Sequence, residues 1–411
     1  MKILIVGGGG REHALAWRLA QSPAIKQLIA SPGNPGIAEH ALCLPAPSTV
    51  DGYVDIAEGN AVDLTVVGPE APLVAGIADR FAARGLKLIG PSQAAARLEG
   101  SKIFAKQFFG RAGIPTARSV QTDNNDQARS ALRSFGLPVV IKADGLAAGK
   151  GVRIARTSQE AEEAIRDLGP KLVIEEFLQG EEVSFIGLSD GHTIIPFAPS
   201  QDHKAAFDND EGPNTGGMGA YCDPRILTPQ QSSDIIERIM LPAIRTMRVE
   251  GHPFTGFLYA GLMMTGDGPK VLEFNVRLGD PEAQSLLYTL RSDLSYILTA
   301  IANAETVPNL DWGDPSVCVV LAAAGYPGTP KTGDHIAGIE DAEREGAKVF
   351  QAGTRQDNSN LVTSGGRVLG VTASGKTLQT AIESAYAGVR RIHFNGMQFR
   401  TDIGQKGLRR W

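Results

Sequence analysis

The stretch Val271 to Leu278 carries the clearest chemistry in the chain. Side chains alternate across a strand, so a strand over these residues puts Glu273, Asn275 and Arg277 on one face and Leu272, Phe274, Val276 and Leu278 on the other. Glu273 and Asn275 offer the hard oxygen donors that magnesium prefers. Arg277 stands where it could grip a carboxylate or a transferring phosphoryl group by two parallel hydrogen bonds. The alternative is an exposed polar face on a half-buried sheet. The preceding Thr265-Gly266-Asp267-Gly268 reads as a turn, pairing this strand with Phe257 to Met263 as a hairpin.

Three glycine-rich segments could hold anions. Lys142 to Val152 follows an apolar strand and contains Gly145, Gly149, Lys150 and Gly151. Lys150 is followed by glycine and not by Ser or Thr, so this is no Walker loop; a hairpin of this composition suits covering a polyphosphate, with Lys142 as a point charge at the strand end. Gly212 to Tyr221, with Asn214, Thr215, Gly216 and Gly217, leaves many backbone N–H groups free and suits a nest for a small carboxylate, or an ordinary surface loop. The turn Gly7 to Gly10 follows Ile3-Leu4-Ile5-Val6, and Arg11 and His13 stand beside it. Its spacing fails the dinucleotide pattern, because Glu12 occupies the place of the third glycine and the second strand ends in Ala30-Ser31-Pro32, without an acidic ribose ligand. A tight packing turn or a site for another phosphorylated ligand remains.

These segments need rigid elements behind them. Short apolar runs at 3–6, 27–30, 64–68 and 86–90 each end in a Gly or Pro turn, with helical segments between several of them, so residues 1–101 read as a parallel α/β unit with its loops at the strand carboxyl ends. A polar stretch, 121–127, introduces a segment ordered strand, glycine loop, helix (Ser158 to Leu168) and strand (Lys171 to Phe177). Residues 313–411 carry several β-type runs and one clear helix from Thr377 to about Arg391. The expected units are an N-terminal α/β domain (1–101), a central domain (102–309) with a mobile lid at about 118–182, and a C-terminal α+β domain (310–411).

A chain of 411 residues exceeds what one core usually supports. Its 48 glycines, about 12% against a usual ~7%, follow no collagen-like period, so it reads as globular and loop-rich. A net charge of −5 argues against backbone-driven nucleic-acid binding. Three scattered cysteines offer neither a disulfide framework nor a zinc site and fit a reducing cytoplasm. No run approaches the ~20 apolar residues that span a bilayer, and nothing resembles a signal peptide. No nucleophile elbow and no zinc-protease helix occurs.

Together the motifs resemble the glycinamide ribonucleotide synthetase (phosphoribosylamine–glycine ligase) family of ATP-grasp enzymes. They are GGREHAL (9–15), PGN (32–34), VVGPEAPLVAGI (66–77), LEGSK (98–102), IKADGLAAGKGV (141–152), EEFLQGEE (175–182), SQDHK (200–204), GPNTGGMGAY (212–221), LEFNVRLGDPEAQ (272–284) and AAGYPG (323–328). The resemblance implies an ATP-grasp fold, behind an N-terminal parallel α/β domain and before a C-terminal mixed domain. It further implies that ATP phosphorylates glycine to glycyl phosphate, which the amine of 5-phosphoribosylamine attacks, with magnesium or manganese as cofactor. By the same resemblance Lys102 and Lys142 hold the ATP phosphates, Gly145, Gly149, Lys150 and Gly151 cover them, and Glu175, Glu176, Phe177 and Leu178 form the adenine hinge, with Glu182 toward the ribose. Glu273 and Asn275 are the metal ligands. Arg277 and the loop with Asp210, Asn214, Thr215, Gly216 and Gly217 receive glycine, and Gly9, Gly10, Arg11, Glu12, Gly33, Asn34 and Glu70 face phosphoribosylamine. The implied catalytic residues are Arg277, Lys102 and Lys142, in a monomer or weak homodimer without membrane or nucleic-acid partners.

Two departures stand out. Ala205 follows Lys204 where the family commonly has arginine, and the strand beside Glu273, Leu258 to Leu262, lacks the second metal-binding acid of related enzymes. Rival readings are a nicotinamide-dependent oxidoreductase, a nucleotide-sensing scaffold without turnover, and a formate- or bicarbonate-using ATP-grasp relative.

Overall fold

The structure is a computed structural model and describes residues 1–146 and 151–410. Gly149 and Lys150 lie outside the described residues. The N-terminal sheet is wholly parallel, in the order Leu42–Cys43, Gln27–Pro32, Lys2–Gly7, Leu64–Val67, Leu88–Ile89. The strand Lys2–Gly7 is apolar over Ile3 to Val6 because both faces are covered, as parallel sheets require. Leu4 and Val6 pack with Val54 and Phe81 on one side, Ile3 and Ile5 with Ala14 and Leu15 on the other. The loops after these strands gather at the carboxyl edge, the expected place for a ligand site in an open α/β sheet.

Residues 119–176 form a second, antiparallel sheet in the order Ser119–Thr122, Leu172–Glu176, Val139–Ala143, Val152–Ala155. Helices Asn125–Phe135 and Ser158–Leu168 cover it, the latter starting where Thr157 and Glu160 make a reciprocal capping box. The sequence reading of strand, loop, helix and strand omitted Val152–Ala155. That strand pairs directly and antiparallel with Val139–Ala143. Ala128, Val139, Ile141, Ala161, Ile165, Leu172 and Ile174 give this unit a core of its own. A unit with a private core can shift as a body at little cost in packing.

The largest sheet runs in the order Gly268–Asn275, Thr255–Thr265, Glu181–Asp190, Ser200–Asp202, Gly219–Cys222, Ser316–Ala322, Arg367–Ser374, Lys348–Gln351. The hairpin at 255–275 forms as the turn residues imply. Strands on either side of position 309/310 hydrogen-bond in this one sheet, Gly219 opposite Val319 and Tyr221 opposite Val317. The helix expected from Thr377 forms as Leu378–Val389 with Thr377 as its cap. Among the described residues no helix is long and apolar enough to cross a membrane.

The N-terminal and central sheets meet where Gly256 (φ +115°) faces the backbone of Gly90; a Cβ there would stand 2.9 Å from the Gly90 Cα. Neither the positive φ nor the contact admits a side chain. Gly256→Ala is expected to cost about 1–3 kcal/mol. The measurement is the urea midpoint, which should fall at unchanged slope.

Candidate active site

A cleft of about 600 Å³ opens between the three sheets, and Glu273, Asn275 and Arg277 line it. The strand that carries them departs from simple alternation. Leu262 pairs with Val271 and Gly261 with Glu273, leaving Leu272 as the extra residue of a bulge. Leu272 therefore lines the cleft beside Glu273, where Phe274 also reaches it, while Val276 and Leu278 are buried away from it. The Leu272 carbonyl accepts a hydrogen bond from Lys142 Nζ at 2.9 Å. Gly261 leaves room for the Glu273 side chain, since a Cβ there would stand 3.3 Å from Glu273 Cγ.

The strand ends at Asn275, two residues short of Arg277. Arg277 is placed by polar contacts and not by pleat. Its Nη2 lies 2.9 Å from Glu99 Oε1 and donates to Asn275 Oδ1 at 3.1 Å, its Nη1 donates to the Leu278 carbonyl at 3.2 Å, and Nε lies 3.4 Å from Glu70 Oε2. Burial alone would lower the guanidinium's pKa; Glu99 and Glu70 more than offset that and raise it.

The lid strands bring up a second cluster. Glu175, 2% exposed, sits between Lys142 Nζ at 3.1 Å and Lys106 Nζ at 3.2 Å. Burial, with the Lys142 charge, pushes Lys106 down to about 8 against the pull of Glu175. Lys102 opens the helix Lys102–Ala112 and donates to the Gly145 carbonyl at 2.8 Å. Burial lowers its pKa, Glu273 resists and Lys142 adds to the fall. Burial would raise Glu273, yet Lys204, Lys142, Lys102 and Arg277 hold it below the usual carboxylate range. An anionic Glu273 beside the Asn275 carbonyl suits a magnesium ion that draws its other ligands from phosphate oxygens and water. Among the described residues no three His, Cys, Asp or Glu side chains gather to hold a metal by themselves.

Other expected residues divide between the cleft and its supports. Arg11, Glu70, Gly145, Gly151, Asn214, Thr215 and Gly216 line the cleft. Glu12 is buried and accepts from Gly9 N and Arg11 Nε, both at 2.6 Å; a Cβ on Gly68 would collide with it at 1.9 Å. Gly10 packs on Gln284, and Gly33 supplies the carbonyl that Gly8 approaches. Asn34 spends its amide on the carbonyls of Gly8 and Gln351, at 2.9 and 2.8 Å, so it ties the first turn to the C-terminal strands. Gly217 backs onto Asp202. Four residues expected at the nucleotide stand outside the cleft's lining. Glu176 pairs with Arg118 at 2.7 Å, Phe177 lies 5.6 Å from the Arg156 guanidinium, Leu178 is buried, and Glu182 pairs with Lys204 at 3.2 Å. Asp210 also stands outside it, held by Arg400 at 3.1 Å and Lys406 at 2.7 Å. The two cations tie this end of the loop, which the resemblance assigns to glycine, to the C-terminal residues.

The structure adds residues to which the sequence assigned no role. Glu282, 2% exposed, accepts from Tyr259 Oη at 2.6 Å and Ser184 Oγ at 2.9 Å. Tyr259, on the strand beside Glu273, thus bonds to a carboxylate from the next helix, Glu282–Thr289. Arg367 binds Asp280 Oδ2 at 2.9 Å and the carbonyls of Gly216 and Asp280 at 2.6 Å, bringing a cation to the 212–221 loop. Asp202 faces Glu282 across the cleft floor. Burial and that neighbouring charge push Asp202 up to about 8, against Lys204 and Arg367. Glu282 and Asp280 lie inside a quoted motif, so their spacing was visible, but their partners are distant in sequence.

Sequence profiles of the three phosphoribosylglycinamide synthetase domains match end to end: the N domain over residues 1–99, the ATP-grasp (A) domain over 100–283 and the C domain over 316–406. The chain belongs to the phosphoribosylglycinamide synthetase family. Among curated relatives of this family it is 49% identical to the phosphoribosylamine–glycine ligase of Xanthomonas axonopodis pv. citri, covering 100% of this chain and 99% of that one. The Escherichia coli O6:H1 ligase is 48% identical over the same shares. The crystal structure of the Thermotoga maritima phosphoribosylamine–glycine ligase superposes with a TM-score of 0.86 at 32% identity, covering 98% and 100%. A Campylobacter jejuni biotin carboxylase shares the fold at 15% identity, with a TM-score of 0.73 over 99% of this chain and 95% of that one. The ATP-grasp architecture, with its N-terminal parallel sheet and C-terminal domain, is that of the synthetase family.

Two outcomes follow from this geometry. Glu273→Ala should nearly abolish turnover while the melting temperature moves little, because the side chain faces the cleft; near-normal turnover at millimolar magnesium would refute the metal assignment. Asp202 binds a proton in the folded chain that the unfolded chain has released, so its contribution to stability is complete below pH ~3.9 and is lost as pH rises through about 8. Thermal melts from pH 6 to 9 should therefore fall less steeply for Asp202→Asn than for the parent.

Proposed function

We infer that this chain is an ATP-dependent ligase that joins glycine to 5-phosphoribosylamine in purine biosynthesis, through glycyl phosphate, with release of ADP and phosphate. The observation that carries the reading is a half-enclosed cleft in which Lys142 from the lid, Lys102 from the helix before it, an anionic Glu273 and the fork of Arg277 converge, in a chain whose three family domains are all present. A carboxylate is a poor electrophile with a poor leaving group. Transfer of the γ-phosphoryl group to a glycine carboxylate oxygen supplies both, the amine nitrogen then bonds to the carbonyl carbon, phosphate departs and the nitrogen loses a proton.

The chain's own work is placement and charge compensation. Lys102 and Lys142 are assigned to the phosphates, Arg277 to the glycine carboxylate and the transferring group, and Arg11 and Glu70 to phosphoribosylamine. Magnesium, or manganese, held by Glu273 and Asn275, supplies further neutralisation of phosphate charge. The segment at about 118–182 is assigned the role of a closing lid that excludes water from the acyl phosphate, which its separate core supports. The three free cysteines suit a reducing cytoplasm. The cleft is lined from several elements of one chain, and we assign a monomer or weak homodimer.

The test is ADP release in the complete mixture and with glycine, phosphoribosylamine or magnesium omitted in turn. Each omission should remove turnover; ADP formed equally without glycine would overturn the ligase reading. Arg277→Lys should lose about 10²–10³ in kcat, since a point charge cannot reproduce the fork.

A further inference from the structure

The residues Glu99 to Lys102 form one short junction between two helices, Gln93–Gly100 and Lys102–Ala112. Lys102 is assigned to phosphate in the reading above; Glu99 has no assigned part in it. Its side chain is 7% exposed and points away from solvent toward the end of the 268–275 strand. One oxygen, Oε1, lies 2.9 Å from Arg277 Nη2, and the other, Oε2, accepts from the Val276 backbone N–H at 2.8 Å. Strand pairing stops at Asn275 opposite Tyr259, so this carboxylate satisfies the first amide beyond the ladder. The same group thus fixes the backbone that carries Arg277 and one arm of its guanidinium.

We propose that Glu99 is a positioning residue for Arg277, setting the direction in which the guanidinium fork meets the reacting carboxylate and phosphoryl group. Glu70 does not substitute for it, being four times as exposed (28%) and 3.4 Å from Nε. The remaining contacts, Asn275 Oδ1 and the Leu278 carbonyl, carry no charge. Without Glu99 the fork would keep its charge and lose its anchor, and a displacement of about 1 Å at a reacting centre costs on the order of 10² in rate. Glutamine preserves the shape of the side chain but removes the charge and presents N–H toward one of two donors. Aspartate keeps the charge but is one methylene too short to reach both.

The inference rests on the ligase reading, and the experiment separates the two. Steady-state ADP release is measured for the parent, Glu99→Gln, Glu99→Asp, Arg277→Lys and Glu99→Gln/Arg277→Lys, with kcat and KM for ATP and glycine. Glu99→Gln should lower kcat by roughly tenfold or more while KM for ATP stays within about twofold, and the double variant should be no slower than Arg277→Lys alone. Added guanidinium should restore part of the activity of Arg277→Ala, and should fail to do so in Glu99→Gln/Arg277→Ala. Normal kcat in Glu99→Gln, multiplying losses in the double variant, or equal guanidinium rescue with and without Glu99 would overturn the proposal while leaving the ligase reading intact. A parent enzyme without glycine-dependent ADP release would instead remove the reading on which it stands. Should Glu99→Gln fail to fold, Glu99→Asp carries the same comparison.

Discussion

Charge compensation in a half-enclosed cleft is the constraint on which the rest of the structure depends. Desolvated charges are costly unless partnered, and here several of the cleft's cations have an acid within reach: Arg277 has Glu99 and Glu70, Lys142 and Lys106 share Glu175, and Arg367 has Asp280. Those partners come from all three sheets and the junctions between them. Assembly of the site and assembly of the whole molecule are therefore one event, and Gly256, at the crossing of two sheets, is a position where two backbones must come close.

The electrostatic pattern is uneven in a useful way. Cations crowd around Glu273 and keep it ionised, while Asp202, beside Glu282, is driven toward its neutral form. Two carboxyl groups in one cleft are thus held in opposite states by their surroundings. The first is fitted to meet a metal ion; the second leaves the floor of the cleft short of one negative charge at neutral pH.

Much of this architecture is legible in the residue order because local chemistry determines it. The parallel N-terminal strands, the 255–275 hairpin and the capped helix Ser158–Leu168 each carry their own signals in apolar period, turn residues or caps. The cleft residues Lys102, Lys142, Glu273 and Asn275 were legible because their motifs are contiguous. What stayed hidden depends on distant partners. No local rule announces that Leu272 is a bulge residue, because the bulge belongs to the pairing with Gly261 and Leu262. The ion pairs of Asp210 with Arg400 and Lys406 likewise join residues some 190 positions apart. Arg367 enters the site by folding alone, through its bonds to the Gly216 carbonyl and Asp280.

The strand Gly219–Cys222 is interior in the finished sheet, but its partner Ser316–Ala322 lies almost a hundred residues downstream. On the ribosome, at roughly 5–20 residues per second, several seconds separate the emergence of the two. Throughout that interval the nascent chain carries an open, apolar sheet edge, the kind of surface that recruits neighbouring chains or a chaperone. The N-terminal sheet, whose strands all emerge within the first ninety residues, has no such delay, so vulnerability during synthesis is concentrated in the half of the molecule that waits for its last strands.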